Sequence, residues 1–224
     1  MSAPPRPGGV APHVLVDDVE HPVISDADRH HLTKVRRLRN GDALTITDGR
    51  GRWRWCAWGE VVETTSEVVV DPEPAPRLLV GFALVKGEKP ELVVQKLTEI
   101  GIDDIVPFEA ERSVVRWDAD KAARNIERLR SVAREAVQQS RRTWMPTVHP
   151  VRTFAECAAM GARRADLGGA VIDDACTAVL IGPEGGWSDP ERSAVPAVGL
   201  GANVLRAETA AIVAGSLLVA TRGH

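Results

Sequence analysis

Residues 178–188 read AVLIGPEGGWS, a short apolar strand followed at once by three glycines within five residues. Glycine loses more conformational freedom on folding than any other residue, so such a run suits a backbone that turns sharply and approaches a ligand closely. The run lacks the GxxxxGK[ST] pattern of a phosphate-binding loop. A tight turn before a helix that opens at Asp189 accounts for the same residues, so this segment alone leaves both interpretations open.

Residues 200–210 read LGANVLRAETA and form a second candidate site. We predict a strand over Asn203–Leu205 and a closing helix over Thr209–Thr221. Arg206 and Glu208 then lie between these elements, at the carboxyl edge of the sheet, where open α/β sheets bind their ligands. A purely structural role is also open, because Glu208 would stabilise the helix N-terminus against the helix dipole.

Strands and helices alternate after residue 77, which predicts an α/β fold with a mostly parallel sheet and helices on both faces. The helices are predicted from Pro90 to Gly101, from Lys121 to about Ser140 and from Asp189. The further strands are predicted over Leu78–Val85, Asp104–Phe108, Ala170–Asp173 and Ala178–Ile181.

Three prolines within residues 71–76 predict a semi-rigid linker and a boundary between two domains. The part before it has mostly β signals, and one helix is predicted from the N-cap residue Ser25 to about Leu38, ended by Asn40 and Gly41. A small β-barrel that carries this helix is therefore expected. Its strands are predicted over His13–Val16, Ala43–Thr47, Trp53–Val62 and Glu67–Val70.

The composition excludes several classes of protein. No apolar run approaches the roughly 20 residues of a membrane span, and the Pro- and Gly-rich start, Met1–Gly9, lacks a secretory signal and is predicted to be a disordered lead-in. Cys56, Cys157 and Cys176 are odd in number and widely spaced, so a disulfide framework is not expected and a reducing cytoplasm fits best. Ligand spacing for a metal site is absent.

Positive charge is concentrated in two stretches, although the formal net charge is −3. Residues 34–54 hold seven basic and two acidic residues, and residues 112–142 hold nine basic and four acidic ones. Each stretch therefore carries +5, against −13 on the rest of the chain. This segregation favours a face that meets a polyanion, but two solvated helix faces explain it equally well.

Taken together, IGPEGGWS and LGANVLRAETA resemble the paired signature of the SPOUT methyltransferases. Three further segments narrow the resemblance to the RsmE family, the 16S ribosomal RNA (uracil-N3)-methyltransferases. They are QKLTEIGIDDIVPFEAERSV, which follows a KGEK, then QQSRRTWMP, and HHLTKVRRLRNGDALTITDGRG in the part before the linker. The resemblance runs from about His13 to Ala220. The chain departs from the family pattern at three positions. Family members usually have Phe where Trp187 stands, often Glu where Gln138 stands, and usually Leu where Arg36 stands.

The resemblance implies a PUA-like, RNA-binding β-barrel domain over residues 1–73 and a SPOUT methyltransferase domain with a deep trefoil knot over residues 77–224. It also implies a cytoplasmic homodimer with the active site near the interface, S-adenosylmethionine as cofactor, and 16S rRNA of the 30S subunit as partner, with no membrane or DNA partner. Carried onto this chain, the expected cofactor-binding residues are Ile181, Gly182, Pro183, Glu184, Gly185, Gly186, Leu200, Gly201, Leu205, Arg206 and Thr209.

Methylation at uracil N3 requires removal of its proton. We therefore expect Arg206 to stabilise negative charge on the uracil oxygens, and Glu184 or Glu208 to act as the base. Trp53, Trp55 and Trp58 could stack on RNA bases, although their alternating spacing favours a place in the barrel core. RNA contacts are expected at Lys34, Arg37, Arg39, Arg112 and Arg142.

Two other functions remain open from the sequence. One is a different SPOUT RNA methyltransferase, for example one that methylates a ribose 2′-oxygen in tRNA or rRNA. The barrel domain and the QKLTEIG segment argue against it. The other is a non-catalytic ribosome-assembly factor, against which the intact glycine bends and Arg206 argue.

Overall fold

The computed structural model describes residues 11–85 and 89–222, and the chain forms two compact units. The first comprises the residues up to Glu73 together with Arg134–Met145, and the second comprises Pro74–Ala133 and the residues from Pro146 onwards. The segment 134–145 thus packs with the first unit, whereas the sequence division assigned it to the second domain. The predicted lead-in, Met1–Gly9, and the KGE of the KGEK segment lie outside the described residues.

The first unit contains a five-stranded sheet in the order β1-β2-β3-β4, with β5 also paired to β3. Strand β1 is parallel to β2, and the other pairs are antiparallel. Trp53 and Trp58 are buried and Trp55 is half-buried, so two of the three tryptophans belong to the interior of this unit. The strands are β1 (His13–Leu15), β2 (Ala43–Thr47), β3 (Arg52–Ala57), β4 (Glu63–Thr64) and β5 (Val69–Val70).

The helix of this unit starts as predicted but ends earlier. Helix α1 (Asp26–His30) begins after Ser25, whose hydroxyl accepts the Asp28 N–H, and continues into a π-helical turn over His31–Val35. Arg37 has a left-handed backbone, with φ of 56°. The predicted end at Leu38 and Asn40-Gly41 was therefore wrong, because a non-glycine residue adopts the conformation that terminates the helical segment.

The segment that follows the longest helix completes the first unit through backbone hydrogen bonds. The Gly51 N–H donates to the Thr143 carbonyl over 2.8 Å, and the Met145 N–H donates to the Gly49 carbonyl over 2.8 Å. Gly51 has φ of 89°, and a Cβ there would lie 2.7 Å from the Trp144 ring. The QQSRRTWMP segment therefore has a structural role in holding the β2–β3 turn.

A parallel sheet of seven strands forms the second unit, in the order β12-β10-β11-β6-β7-β8, with β9 also paired to β7. Its strands are β6 (Leu79–Ala83), β7 (Asp104–Glu109), β8 (Thr147–Val148), β9 (Arg152–Thr153), β10 (Arg163–Ala170), β11 (Ala178–Ile181) and β12 (Ala197–Val198). The helices from α2 onwards are α2 (Lys89–Ile100), α3 (Ala119–Ser140, whose last turns belong to the first unit), α4 (Phe154–Ala159), α5 (Asp189–Ala194) and α6 (Ala207–Thr221).

Two predicted strands were wrong. The strand expected over Ala170–Asp173 lies earlier, as β10, whose sequence RRADLGGA has no apolar alternation and forms a strand because β11 and β12 pair with it on both sides. Asn203–Leu205 is not a strand but irregular backbone. Its apolar residues gave a strand pattern, but pairing with a neighbour, which periodicity does not report, decides the outcome.

The core of the second unit lies between the sheet and its helices, and Leu97, Ile105 and Val179 are fully buried within it. Helices α2 and α6 approach closely at Gly215, where a Cβ would lie 2.8 Å from Leu97 Cδ2. The three cysteines are free and buried, and burial raises the pKa of Cys157 to about 12. Within residues 11–85 and 89–222, no helix is both long and apolar enough to cross a membrane.

His13 is a buried titratable group inside the first unit. Its Nε2 donates to the Arg142 carbonyl over 3.1 Å, and its Nδ1 accepts the Thr45 hydroxyl over 2.7 Å, in the neutral tautomer that this pairing favours. Burial lowers the pKa of His13 from 6.5 to about 4. The folded state therefore binds fewer protons than the unfolded state between these pH values.

The free energy of unfolding should fall as the pH drops from 6.5 towards 4, because His13 becomes protonated in the unfolded chain but stays neutral in the folded chain. The expected loss is at most about 3 kcal/mol. Urea unfolding at several pH values measures it. His13→Gln should flatten this part of the pH dependence, whereas the exposed control His31→Gln should not. Equal slopes in the two variants would contradict this assignment.

Candidate active site

A cavity of about 520 Å³ opens at the carboxyl end of β11, between the two glycine-bearing bends. Gly185 and Thr209, which were expected to bind the cofactor, do not line it, and neither does Glu208. The other expected residues do line it, and these are Ile181, Gly182, Pro183, Glu184, Gly186, Leu200, Gly201, Leu205 and Arg206. Their roles in binding stay predictions, but the two bends lie against one cavity.

The first bend is shaped by a close approach between backbone and indole. A Cβ on Gly182 would lie 2.8 Å from Trp187 Cε2, so only glycine leaves room for the ring. Gly186 has φ of 71°, and its N–H donates to the Pro183 carbonyl over 2.9 Å. The bend therefore curls back on itself and leaves bare backbone on the cavity wall.

Trp187 anchors this bend in the unit's interior. Its ring stacks on Phe108, with centroids 6.2 Å apart and planes 5° apart, and it makes a tilted contact with Phe154. Its Nε1 donates to the Ala165 carbonyl of β10 over 2.9 Å. A phenylalanine, which the family resemblance implies here, could pack in this place but could not donate that hydrogen bond.

Glu191 ties the first bend to a second loop, although the sequence analysis gave it no role. It is buried, and its Oε2 accepts the N–H of Ser188, the N-cap of α5, over 2.9 Å. Its Oε1 accepts the Glu111 N–H over 2.9 Å. The next residue, Arg112, lies against Gly185, where a Cβ would be 3.3 Å from Arg112 Cβ. The sequence signal that could have revealed this role is the Ser-x-x-Glu capping box over residues 188–191.

The second bend runs into the N-terminus of α6. Gly201 has φ of 135° and lines the cavity, and no atom lies within 4 Å of the position its Cβ would take. Arg206 occupies the N-cap position, and its carbonyl accepts the Ala210 N–H over 2.8 Å. Its side chain is exposed and lines the cavity, so a guanidinium stands at the mouth.

Lys89 joins the two acids that were predicted as alternative bases. Its Nζ donates to Glu184 Oε1 over 3.0 Å and lies 3.6 Å from Glu208 Oε2. The hydrogen bond with Glu184 is the main cause that raises the pKa of Lys89, so the ammonium stays charged at neutral pH. Glu184 lines the cavity, whereas Glu208, in the first turn of α6, does not. Lys89 is the last residue of the KGEK segment, which the sequence analysis used only for the family resemblance and to which it gave no role in the site.

A second group of charges lines the same cavity as Lys89. Asp166 lines the cavity and pairs with Arg192 and with Arg164, and Arg192 also donates to the Trp187 carbonyl over 3.3 Å. The sequence analysis missed Asp166 and Arg192, because β10 was not predicted as a strand. These contacts hold β10 against the first bend.

The expected RNA-binding residues lie in both units. Lys34, Arg37 and Arg39 are exposed in the first unit, and no ion pair involves them among the residues that the structure describes. Arg142 is half-buried and belongs to the first unit, and Arg112 is exposed in the second. Two other cations of the first basic stretch, Arg52 and Arg54, share one carboxylate, that of Glu20, so their charge is partly neutralised.

Comparison with known proteins identifies the class. A family model described as an RNA methyltransferase domain matches residues 72–219, and one described as an RNA methyltransferase PUA domain matches residues 24–56. The chain thus has the domains of an RNA methyltransferase with a PUA domain.

Named relatives narrow this class. The ribosomal RNA small subunit methyltransferase E of Mycobacterium bovis is 33% identical, covering 86% of this chain and 83% of the relative. The enzyme of the same name from Bacillus subtilis is 28% identical, covering 87% and 88%. This chain belongs to the ribosomal RNA small subunit methyltransferase E family, which confirms the resemblance to the RsmE family.

Solved structures agree with this assignment. A methyltransferase from Legionella pneumophila, solved with bound S-adenosylmethionine, has a TM-score of 0.78 and 26% identity, covering 96% of this chain and 95% of that one. The ribosomal RNA small subunit methyltransferase E of Neisseria gonorrhoeae shares the fold, with a TM-score of 0.75 at 23% identity, covering 92% of this chain and 96% of that one. The predicted fold class, a SPOUT-type α/β domain preceded by a PUA-like domain, is confirmed.

Proposed function

We propose that this protein transfers a methyl group from S-adenosylmethionine to N3 of a uridine in the 16S rRNA of the small ribosomal subunit. Membership of the family supports the reaction class, and the Legionella pneumophila relative was solved with this cofactor. The observation that carries the proposal is the cavity between the two bends, which has Arg206 and the Lys89–Glu184 pair at its edge.

The cavity suits a cofactor of this kind. Its volume lies in the range of small-molecule sites, roughly 300–1,000 Å³. Gly186 and Gly201 have positive φ and face open space, so their backbone can approach a ligand without a side chain in between. Apolar walls from Ile181, Leu200 and Leu205 surround these polar backbone groups. We assign the binding of the adenosyl and methionine parts to the residues of the two bends.

When bound, S-adenosylmethionine supplies an electrophilic methyl group on a sulfonium. The protein's task is to hold uracil N3 in line with that group and to keep the nitrogen nucleophilic. Loss of the N3 proton leaves negative charge on the flanking uracil oxygens. Arg206 at the cavity mouth is placed to stabilise that charge, and the ammonium of Lys89 adds a second positive charge nearby.

The base is assigned between two acids that share Lys89. Glu184 lines the cavity and its side chain is 72% exposed, so it can reach a substrate from the rim. Glu208 is more enclosed, does not line the cavity, and lies 3.6 Å from Lys89. This arrangement supports Glu184 as the acid that accepts the N3 proton and Glu208 as the acid that positions Lys89.

Glu184→Gln should abolish the acid limb of the kcat profile against pH and lower kcat about 100-fold, because the amide cannot accept the proton. Glu208→Gln should lower kcat less and keep the shape of the profile, because it only loosens Lys89. Single-turnover methylation across the pH range measures both. Unchanged profiles in both variants would remove both acids from the role of base.

Incubation of the purified protein with labelled S-adenosylmethionine and unmodified 30S subunits should place the label on one 16S uridine, at N3. Nucleoside digestion followed by chromatography separates N3-methyluridine from a 2′-O-methylated nucleoside, which would indicate the other SPOUT chemistry. Arg206→Ala should reduce labelling about 100-fold or more, and thermal melting of the variant checks that the fold is intact. No label with the unaltered protein would favour a non-catalytic assembly factor.

The exposed cations of the first unit support RNA binding there. Lys34 lies in the π-helical turn, Arg37 is the left-handed residue that follows it, and Arg39 comes two residues later. π-Helical turns often occur at functional sites. We assign phosphate contacts to these three residues, and to Arg112 and Arg142. Their charges would contact mainly the phosphate backbone. Such contacts position the RNA on the protein but do not distinguish one base from another.

Arg37→Glu should weaken binding of 16S rRNA at least several-fold, and the loss should shrink at high salt because the contact is electrostatic. Cofactor affinity in the same variant should not change, because the cofactor cavity lies wholly within the second unit. Filter binding and calorimetry measure the two affinities. Parallel loss of both would point to misfolding and would refute the assignment.

The remaining partners follow from the proposed substrate. We expect the protein in the cytoplasm, because 30S subunits, its proposed substrate, are assembled there. Exposed apolar side chains at the cavity rim, Leu167 and Val204, support a homodimer with the active site near its interface. Covering these apolar side chains with a second chain would remove their surface from water, which is favourable.

A further inference from the structure

A second cavity, of about 440 Å³, lies in the same unit and has no role in the mechanism above. It is enclosed by the start of α2, the loop after β7 and the first half of α3. Val85, Pro90, Val115 and Leu129 form apolar walls. Its volume falls within the range of sites that hold small ligands or single bases, roughly 300–1,000 Å³.

Two segments are shared between this cavity and the cofactor cavity. Lys89 lines the cofactor cavity and the next residue, Pro90, lines the second. Arg112 lies against Gly185 of the first bend, and Val114 lines the second cavity two residues later. The two cavities are therefore neighbours, separated by the first turn of α2 and by the loop that Glu191 holds in place.

The chemistry of the second cavity combines an aromatic ring with positive charge. Trp117 is half-buried and lines the cavity, together with the Asn125 amide. Among the described residues that line it, three are cations, Arg116, Lys121 and Arg128, and one is a carboxylate, Glu91.

These cations differ in how far they are neutralised. Arg116 pairs with Glu109 over 3.1 Å, and Arg128 pairs with Glu91 over 3.0 Å. Lys121 is exposed and has no ion pair among the residues described, so its charge remains available to a ligand.

We propose that this second cavity binds an unstacked nucleotide of the RNA strand next to the methylated uridine. The base would stack on Trp117 and hydrogen-bond to Asn125, and Lys121 would contact its phosphate. This proposal rests on the proposed function, since N3 lies on the pairing edge of uracil and is reached only in an unpaired strand. An unpaired strand offers neighbouring bases to stack, and proteins hold such bases on aromatic rings beside basic side chains.

Trp117→Ala should raise the KM for unmodified 30S subunits, and weaken binding of protein-free 16S rRNA in a filter assay, each by about 10-fold. The kcat and the cofactor affinity should not change, because no part of the cofactor cavity is altered. Trp117→Phe should remain close to the unaltered protein, because a phenyl ring still stacks. Thermal melting of each variant checks that the fold is intact.

A charge-matched pair on α3 tests the phosphate contact. Lys121→Ala should weaken RNA binding several-fold, whereas Arg124→Ala should not, although both changes remove one exposed cation from the same helix and only Lys121 lines the cavity. Equal effects in the two variants would show a general charge effect and would overturn the phosphate contact.

The outcomes separate this proposal from the proposed function. One outcome is that the unaltered protein methylates 30S subunits while Trp117→Ala has the same KM and the same affinity for 16S rRNA. In that case the second cavity is not a nucleotide site, and the proposed methyltransferase function is unaffected. If the unaltered protein does not methylate, the function fails, and the filter assay alone decides the cavity. A loss seen with 30S subunits but not with protein-free 16S rRNA would assign the cavity to a ribosomal protein and overturn the proposal.

Discussion

The indole of Trp187 packs directly over the backbone of Gly182, and the cavity proposed for the cofactor depends on this contact. Any side chain at residue 182 would collide with the ring, which stacks on Phe108 and donates to the Ala165 carbonyl. The bend is thereby fixed to β7 and β10 at once. Because a close-packed interior transmits small displacements, loss of this contact would move the cavity wall rather than merely loosen a loop.

The charged groups of the site are positioned by contacts with this anchored bend. Glu191 binds the backbone N–H groups of Ser188 and Glu111, so one buried carboxylate links the cofactor bend to the loop that walls the second cavity. Lys89 lies at the start of α2 and reaches acids of both bends. The proposed cofactor site and the proposed nucleotide site thus share supports, and a substrate that orders one loop would also act on the other.

The first unit is completed by residues that are distant in sequence. Gly51 and Gly49 exchange hydrogen bonds with the backbone of Thr143 and Met145, and His13 is buried beneath the Arg142 carbonyl. Gln138, where the family resemblance implies Glu, donates to Asp28 over 3.3 Å, a contact that a second carboxylate would turn into repulsion. This departure from the family pattern is therefore consistent with its local partner.

The sequence by itself determined the class of fold, the family and the two glycine bends, since these depend on short-range patterns: β11 and the start of α5 follow directly from an apolar run and a capping box. Only the tertiary structure decided that β10 is a strand, that residues 203–205 are not, and that Lys89, Asp166 and Glu191 belong to the site. Strand pairing, ion pairs and buried hydrogen bonds join residues far apart in the chain. Local periodicity carries no information about such partners, so only the folded arrangement could bring them together.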